Sequence, residues 1–163
     1  SDWQRLNDAI IKRNPKYDKF IQKAESVRIP KYIILEEHLE EALVSDLSIF
    51  KKFGYDLELY YDKEKNTSGR QFICVGVGGR IDLLCRNKKT KGYTIIELKN
   101  VQANRITFAQ MCEYLGYWQD KVGKKTKVDG IVVSRGFDTS FQQSMKILHG
   151  KIKHIDLNEL GFK

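Results

Sequence analysis

Two apolar runs joined by a short basic turn constrain this chain more than any other feature. The stretch GRIDLLCRNKKTKGYTIIELKN, from Gly79 to Asn100, reads as two strands closed by a short turn, which favours an antiparallel hairpin. Asp82, Glu97 and Lys99 interrupt those runs. An unpaired ionised group in such a setting costs several kcal/mol or changes its protonation until it is neutral. A salt bridge, exposure at a sheet edge or a bound metal ion would each remove that cost.

The remaining elements can be read around this hairpin. The first thirty residues carry helical signals: Asp2 before Trp3, Leu6 and Ile10, then Asn14-Pro15 as a second start. Pro30 separates them from a stronger helix, KYIILEEHLEEALVSDL, with Ile34, Leu35, Leu39, Ala42 and Leu43 on one stripe. From Gly54 the period becomes two, and GYDLELYYD reads as one half-buried strand. KEKNTSG is a turn, and RQFICVGV is a strand ending at a bend at Gly78-Gly79. Beyond the hairpin come a helix from Asn104 to Gln119, a buried strand VDGIVVS, a helix from Asp138 to His149 and a last strand KIKHIDL. The expected organisation is α/β, in the order α-β-β-β-α-β-α-β after residue 30. Residues 1–30 form a helical extension and residues 31–163 one domain.

Composition narrows the class. At 163 residues and 41% hydrophobic, the chain can bury a real core. It has no apolar run long enough to span a membrane and no signal-peptide pattern, so an intracellular, cytoplasmic protein is expected. A net charge of +8 favours polyanionic partners by long-range steering. Lysines cluster in two turns, around Lys88–Lys91 and Lys121–Lys127, where the plainer explanation is solubility. Cys74, Cys85 and Cys112 form no CxxC pair and read as reduced core thiols. His38, His149 and His154 have no zinc-ligand spacing.

Strand alternation gives the three charges a meeting point. Arg80, Asp82 and Leu84 share one face of their strand; Tyr93, Ile95, Glu97 and Lys99 share one face of the next. In an antiparallel hairpin Asp82 begins one strand where Glu97 and Lys99 end the other. Two carboxylates and an ammonium there suit Mg²⁺ or Mn²⁺, with the lysine able to position water or stabilise charge on a phosphate. A cross-strand acid–lysine pair at a solvated strand end explains the D-x14-E-x-K spacing about as well. Gln110 and Tyr114, four apart on the next helix, could reach the same end, as could a helical carboxylate from Glu36, Glu37 or Glu40.

R-I-D-L-L followed by I-I-E-L-K, after a Glu-rich helix and before Q-x3-Y on a helix, resembles the PD-(D/E)XK nuclease superfamily, and within it the nuclease domain of the NucS/EndoMS endonucleases. The resemblance spans about residues 33 to 158. It implies a restriction-endonuclease-like core, with αβββαβ order, a mixed sheet flanked by helices and further α and β elements. It also implies metal ligation by Asp82, Glu97 and the Leu98 carbonyl, with Lys99 as catalytic lysine. Gln110 and Tyr114 would line the site, Arg80 would contact phosphate or support a ligand, and Glu36, in an E-x-x-L-x3-L pattern, is the preferred helical carboxylate. Here Asn100-Val101-Gln102 follows the lysine, where the group often has Arg-Gly.

The expected activity is Mg²⁺- or Mn²⁺-dependent hydrolysis of DNA phosphodiesters in repair or restriction. Arg70, Arg105, Lys124 and Lys125 would hold the backbone without reading sequence. Cutting both strands of a duplex requires two active sites or two visits, which makes a homodimer plausible. The competing expectations are a non-catalytic nucleic-acid-binding module on the same fold, or a structural domain whose charges are salt bridges.

Overall fold

A computed structural model describes residues 36–162; the expected helical extension over residues 1–30 lies outside them. The first described element is helix α1, Glu36–Ser45, followed by a 3-10 helix over Leu47–Phe53. Strands β1 (Leu57–Leu59), β2 (Tyr61–Asp62), β3 (Thr67–Ser68) and β4 (Arg70–Ile73) lead to the hairpin strands β5 (Arg80–Asn87) and β6 (Gly92–Leu98). Helix α2 (Arg105–Val122), strand β7 (Val128–Ser134), helix α3 (Thr139–Leu148), strand β8 (Ile152–Asp156) and a 3-10 turn at Leu157–Leu160 complete the order.

The main sheet is mixed. β5 and β6 pair antiparallel, β6 and β7 parallel, and β7 and β8 parallel, while β1 and β4 share the outer edge of β5. Period-two alternation sends its apolar residues into two cores. Leu83, Cys85, Ile96, Leu98, Ile131 and Val133 pack on one face with Leu39, Leu43 and Phe50. Leu84, Ile95, Val128 and Val132 pack on the other with Met111, Leu115, Trp118 and Phe141. The result is a mixed sheet flanked by helices. Strand β7 is buried along its whole length, as a parallel strand covered on both faces should be. At Gly130 a Cβ would stand 2.5 Å from Met111 Sδ, so the glycine leaves the space that the Met111 side chain of α2 fills against β7.

Two local expectations change, and one element is new. GYDLELYYD is two strands rather than one. The Tyr60 ring turns inward against Phe72, Tyr93 and Trp118, which breaks the alternation and leaves Tyr61 exposed in a separate β2–β3 hairpin. RQFICVGV stops being a strand at Ile73, because Cys74 O accepts from the N–H groups of Val77 and Gly78 in a turn. Gly76 and Gly78 there take left-handed φ. The 3-10 helix, capped by the Asp46 carboxylate and by left-handed Gly54, lacks an apolar period to announce it. The three cysteines are free, with Cys74 and Cys85 buried, as expected of core thiols.

Candidate active site

The hairpin register puts Asp82 across from Glu97. Leu83 pairs with Ile96 and Leu84 with Ile95, so the next step outward sets the two carboxylates on adjacent strands. In place of a further backbone pair, Asp82 Oδ2 accepts the Leu98 N–H at 2.8 Å. Lys99, two residues beyond Glu97 on the same side of the chain, brings Nζ to 3.2 Å from Glu97 Oε1.

One lysine does not neutralise this pair. The Glu97 side chain is 4% exposed, and its Oε2 is buried without a hydrogen-bond partner. Burial raises the Asp82 carboxyl to about 6 against the opposing pull of the Leu98 N–H, with Glu40 raising it further. Burial, and then Asp82 itself, raises Glu97 to about 8 despite Lys99. Burial alone would lower the Lys99 ammonium, but Glu97, Glu36 and Asp82 outweigh it and raise it. The site holds more negative charge than its own side chains compensate. Its donors are hard oxygens, the kind Mg²⁺ and Mn²⁺ take, and an orphaned carboxylate oxygen is what a cation ligand leaves when the cation is taken away. The residues therefore fit a divalent metal. Among the described residues, no group of three or more His, Cys, Asp and Glu side chains has metal-binding geometry, so any such site rests on two carboxylates plus other oxygens.

Helix α1 reaches this end of the sheet with two glutamates four residues apart. Glu36 Oε2 accepts the Asn100 N–H at 3.1 Å, just past Lys99. Glu40 is 7% exposed and reaches Asp82 through Gln71, whose Nε2 donates to Glu40 Oε2 at 2.6 Å and to Asp82 Oδ1 at 3.2 Å. Glu37 points outward, 75% exposed, beside His38. Arg70 closes the chain, with Nε 2.6 Å from Glu40 and Nη1 2.5 Å from Glu41. Arg70, expected to hold a nucleic-acid backbone, thus has its guanidinium committed to α1. Gln71 was not singled out from the sequence. Counting back symmetrically from the β4–β5 turn pairs Ile73 with Arg80 and hence Gln71 with Asp82, and that was the available signal. Gln71 adopts φ 52, an uncommon conformation for a non-glycine residue and one found often at functional sites.

Tyr114 is 4% exposed, with burial, Glu97 and Asp82 pushing its phenol up to about 12 and a hydrogen bond to the Arg80 backbone opposing them. Its ring lies so near Gly79 that a Cβ there would stand 3.2 Å from the hydroxyl. Gln110, one turn earlier on α2, has a buried Oε1 without a partner. Arg80 is exposed at the start of β5, and Arg105 is exposed at the start of α2. Lys124 and Lys125 are elsewhere: they follow α2, whose end lies beside the start of β6, far from Lys99.

A serine–histidine pair offers a different chemistry, and geometry removes it. Ser134 Oγ lies 2.7 Å from His154 Nε2 and donates its single proton to Gly136 O at 2.7 Å, so the histidine must be the donor and cannot act as base. Ser134 is also fully buried.

The profile of the endonuclease NucS C-terminal domain matches residues 69–163, more than half of the chain. The chain belongs to that family. The NucS C-terminal domain thus includes both hairpin strands, Asp82, Glu97, Lys99 and the α2 residues, but not α1. Structural comparison finds a repair endonuclease from Pyrococcus abyssi at TM-score 0.59 and 16% identity, covering 78% of this chain and 49% of that one. An EndoMS–dsDNA complex follows at TM-score 0.54 and 15% identity, covering 72% and 43%. EndoMS in apo form gives 0.50 and 12%, covering 76% and 47%. At these identities the likeness is one of fold, and this chain spans about half the length of each structure. No match appears among curated protein sequences.

Proposed function

We propose that this NucS C-terminal domain is a metal-dependent endonuclease domain of the PD-(D/E)XK type, with a restriction-endonuclease-like core over residues 31–163, acting on DNA in repair or restriction. The observation that carries the reading is the half-buried Asp82 beside the buried Glu97, undercompensated by Lys99 and left with an orphaned oxygen on Glu97. A structural salt bridge would satisfy its carboxylates; this pair is left hungry for a cation.

In this reading Asp82, Glu97 and the Leu98 carbonyl hold Mg²⁺ or Mn²⁺. The cation, when bound, supplies Lewis acidity toward a phosphodiester and its water nucleophile. Asp82 is held in place by the Leu98 N–H and the Gln71 amide, so its oxygens need no reorganisation on binding. Lys99 keeps a positive charge beside the position a phosphate would take, where negative charge builds up during displacement. Glu97 holds the Lys99 ammonium in that place. Glu36, at the Asn100 amide, and Glu40, through Gln71, complete the acidic rim. Tyr114 and Gln110 line the α2 side.

The DNA surface is supported by a groove of about 870 Å³ beside the site, shared with it at Arg70 and Gln71. Tyr60, Phe72, Tyr93 and Tyr117 line it with Lys65 and Lys121, a mixture of ring faces and cations suited to a DNA strand. The names of the structural relatives, a repair endonuclease and a dsDNA complex, agree with DNA as substrate.

The test is incubation of the purified chain with supercoiled and branched DNA in Mg²⁺ or Mn²⁺, then with chelator. Cleavage that needs metal and disappears in Asp82→Ala and Lys99→Ala is the expected result. Binding without cleavage under every metal condition would leave a non-catalytic binding module on a nuclease fold.

A further inference from the structure

The two lysine-rich turns lie more than thirty residues apart in sequence, yet the fold joins them. β6 starts at the hairpin turn and pairs in parallel with β7, which starts at the turn after α2, so Tyr93 lies opposite Val128. The Tyr93 N–H donates to Lys127 O at 2.9 Å, and a Cβ on Gly92 would stand 2.1 Å from that oxygen. Lys88, Lys89, Lys91, Lys124, Lys125 and Lys127, all exposed, therefore share one end of the sheet. Lys151 joins them, its carbonyl accepting from the Gly130 N–H at 2.9 Å.

Little negative charge faces this cluster. Asp56 lies 3.8 Å from Lys88 Nζ. Asp129 is 9% exposed and is engaged by the Thr94 hydroxyl at 2.6 Å. Asp120 lies in the last turn of α2. Among the described residues, Lys89, Lys91, Lys124 and Lys125 have no ion-pair partner. Crowded like charges repel, and a polyanion is the partner that relieves them.

We infer that this basic end is a second contact for the phosphate backbone of duplex DNA, remote from the cutting site and on the same molecule. Lys99 is six residues along β6 from Tyr93, which is roughly 20 Å at about 3.3 Å per residue. That separation corresponds to about six base pairs at ~3.4 Å per step. The spacing rests on the nuclease reading above; the surface itself does not. A membrane is a poorer fit, because Val75, Val77 and Val101 in loops and Ile106 in the first turn of α2 are exposed at the opposite end, and Ile147, four residues before Lys151, is a single apolar side chain rather than a face.

The test measures binding of the full chain to a fluorescein-labelled duplex of ~20 base pairs, about two helical turns, by anisotropy over a salt series in chelator. Lys89→Gln/Lys125→Gln takes one charge from each turn; Lys63→Gln, in the β2–β3 turn, is the control. The double variant is expected to melt as the wild type does, to bind roughly tenfold more weakly at low salt and to lose about two from its log–log salt slope. Wild-type affinity and slope in the double variant would overturn the inference, as would an equal loss per charge in the control. Binding confined to duplex RNA or to anionic vesicles would overturn it too. If the salt effect appears but the wild type cuts no DNA with Mn²⁺, the nuclease reading and the six-pair spacing fail while the phosphate surface stands.

Discussion

The two ends of one sheet carry opposite problems. At one end, Asp82 is half-buried and Glu97 buried, with a single lysine on Glu97 and one Glu97 oxygen left unpaired. At the other, six turn lysines stand in water with few partners. The first arrangement is costly in the absence of a ligand, because desolvation of buried charge is not repaid by one ion pair. The second costs little, because solvent and salt screen it. The chain spends stability where chemistry would need preorganised charge, and merely collects charge where attraction at a distance is enough.

Four changes would break or sharpen that contrast. The largest effect is expected from Glu97→Gln. Without metal at neutral pH it should raise stability by ~1–3 kcal/mol, since glutamine is neutral without the proton that Glu97 must take up on folding, and it should lower Mn²⁺ affinity by about 100-fold. Chemical denaturation and calorimetric titration check the two arms, and a variant less stable than wild type would break the comparison.

Next comes Gln71→Gly, which relaxes a positive φ while removing the amide that bridges Glu40 and Asp82. Mn²⁺ affinity should fall roughly tenfold with no loss of melting temperature. Unchanged affinity would mean that Asp82 is positioned by the Leu98 N–H alone.

The third concerns pH. Folding raises Asp82 to about 6 and Glu97 to about 8, above their ordinary values of 3.8 and 4.5. Between these limits the folded, metal-free protein binds more protons than the unfolded chain. Its stability is therefore full below the ordinary carboxylate range and declines as pH rises toward 8. Denaturation midpoints from pH 5 to pH 9 should show this decline, and Glu97→Gln should flatten most of it.

The smallest change belongs to the basic end. Lys89→Gln/Lys125→Gln should move stability by less than about 0.5 kcal/mol, and upward at low salt if at all. A large destabilisation would mean that these lysines are structural after all.

Much of this was legible in the sequence because strand alternation and a short turn are local. The period-two runs in RIDLLCR and YTIIELK, with the six residues between them, sufficed to bring Asp82 to Glu97 and Lys99. The helical period of α2 likewise put Met111, Leu115 and Trp118 on the buried face. The split at Tyr60 was not legible, because an aromatic cluster drawn from three other elements decides it. The choice among Glu36, Glu37 and Glu40 was not legible either, since it depends on how α1 lies across the sheet.

Which residues alternate, which turns are short, and that three charges interrupt two apolar strands can all be read from the order of residues alone. Such properties depend on bond geometry within a few residues. That Gln71 and Arg70 tie α1 to Asp82, that Glu97 keeps an unpaired oxygen, and that two distant lysine turns form one basic end emerges in three dimensions. Those outcomes depend on strand order and on the parallel pairing of β6 with β7, contacts between residues far apart in the chain, for which no local pattern carries a signal.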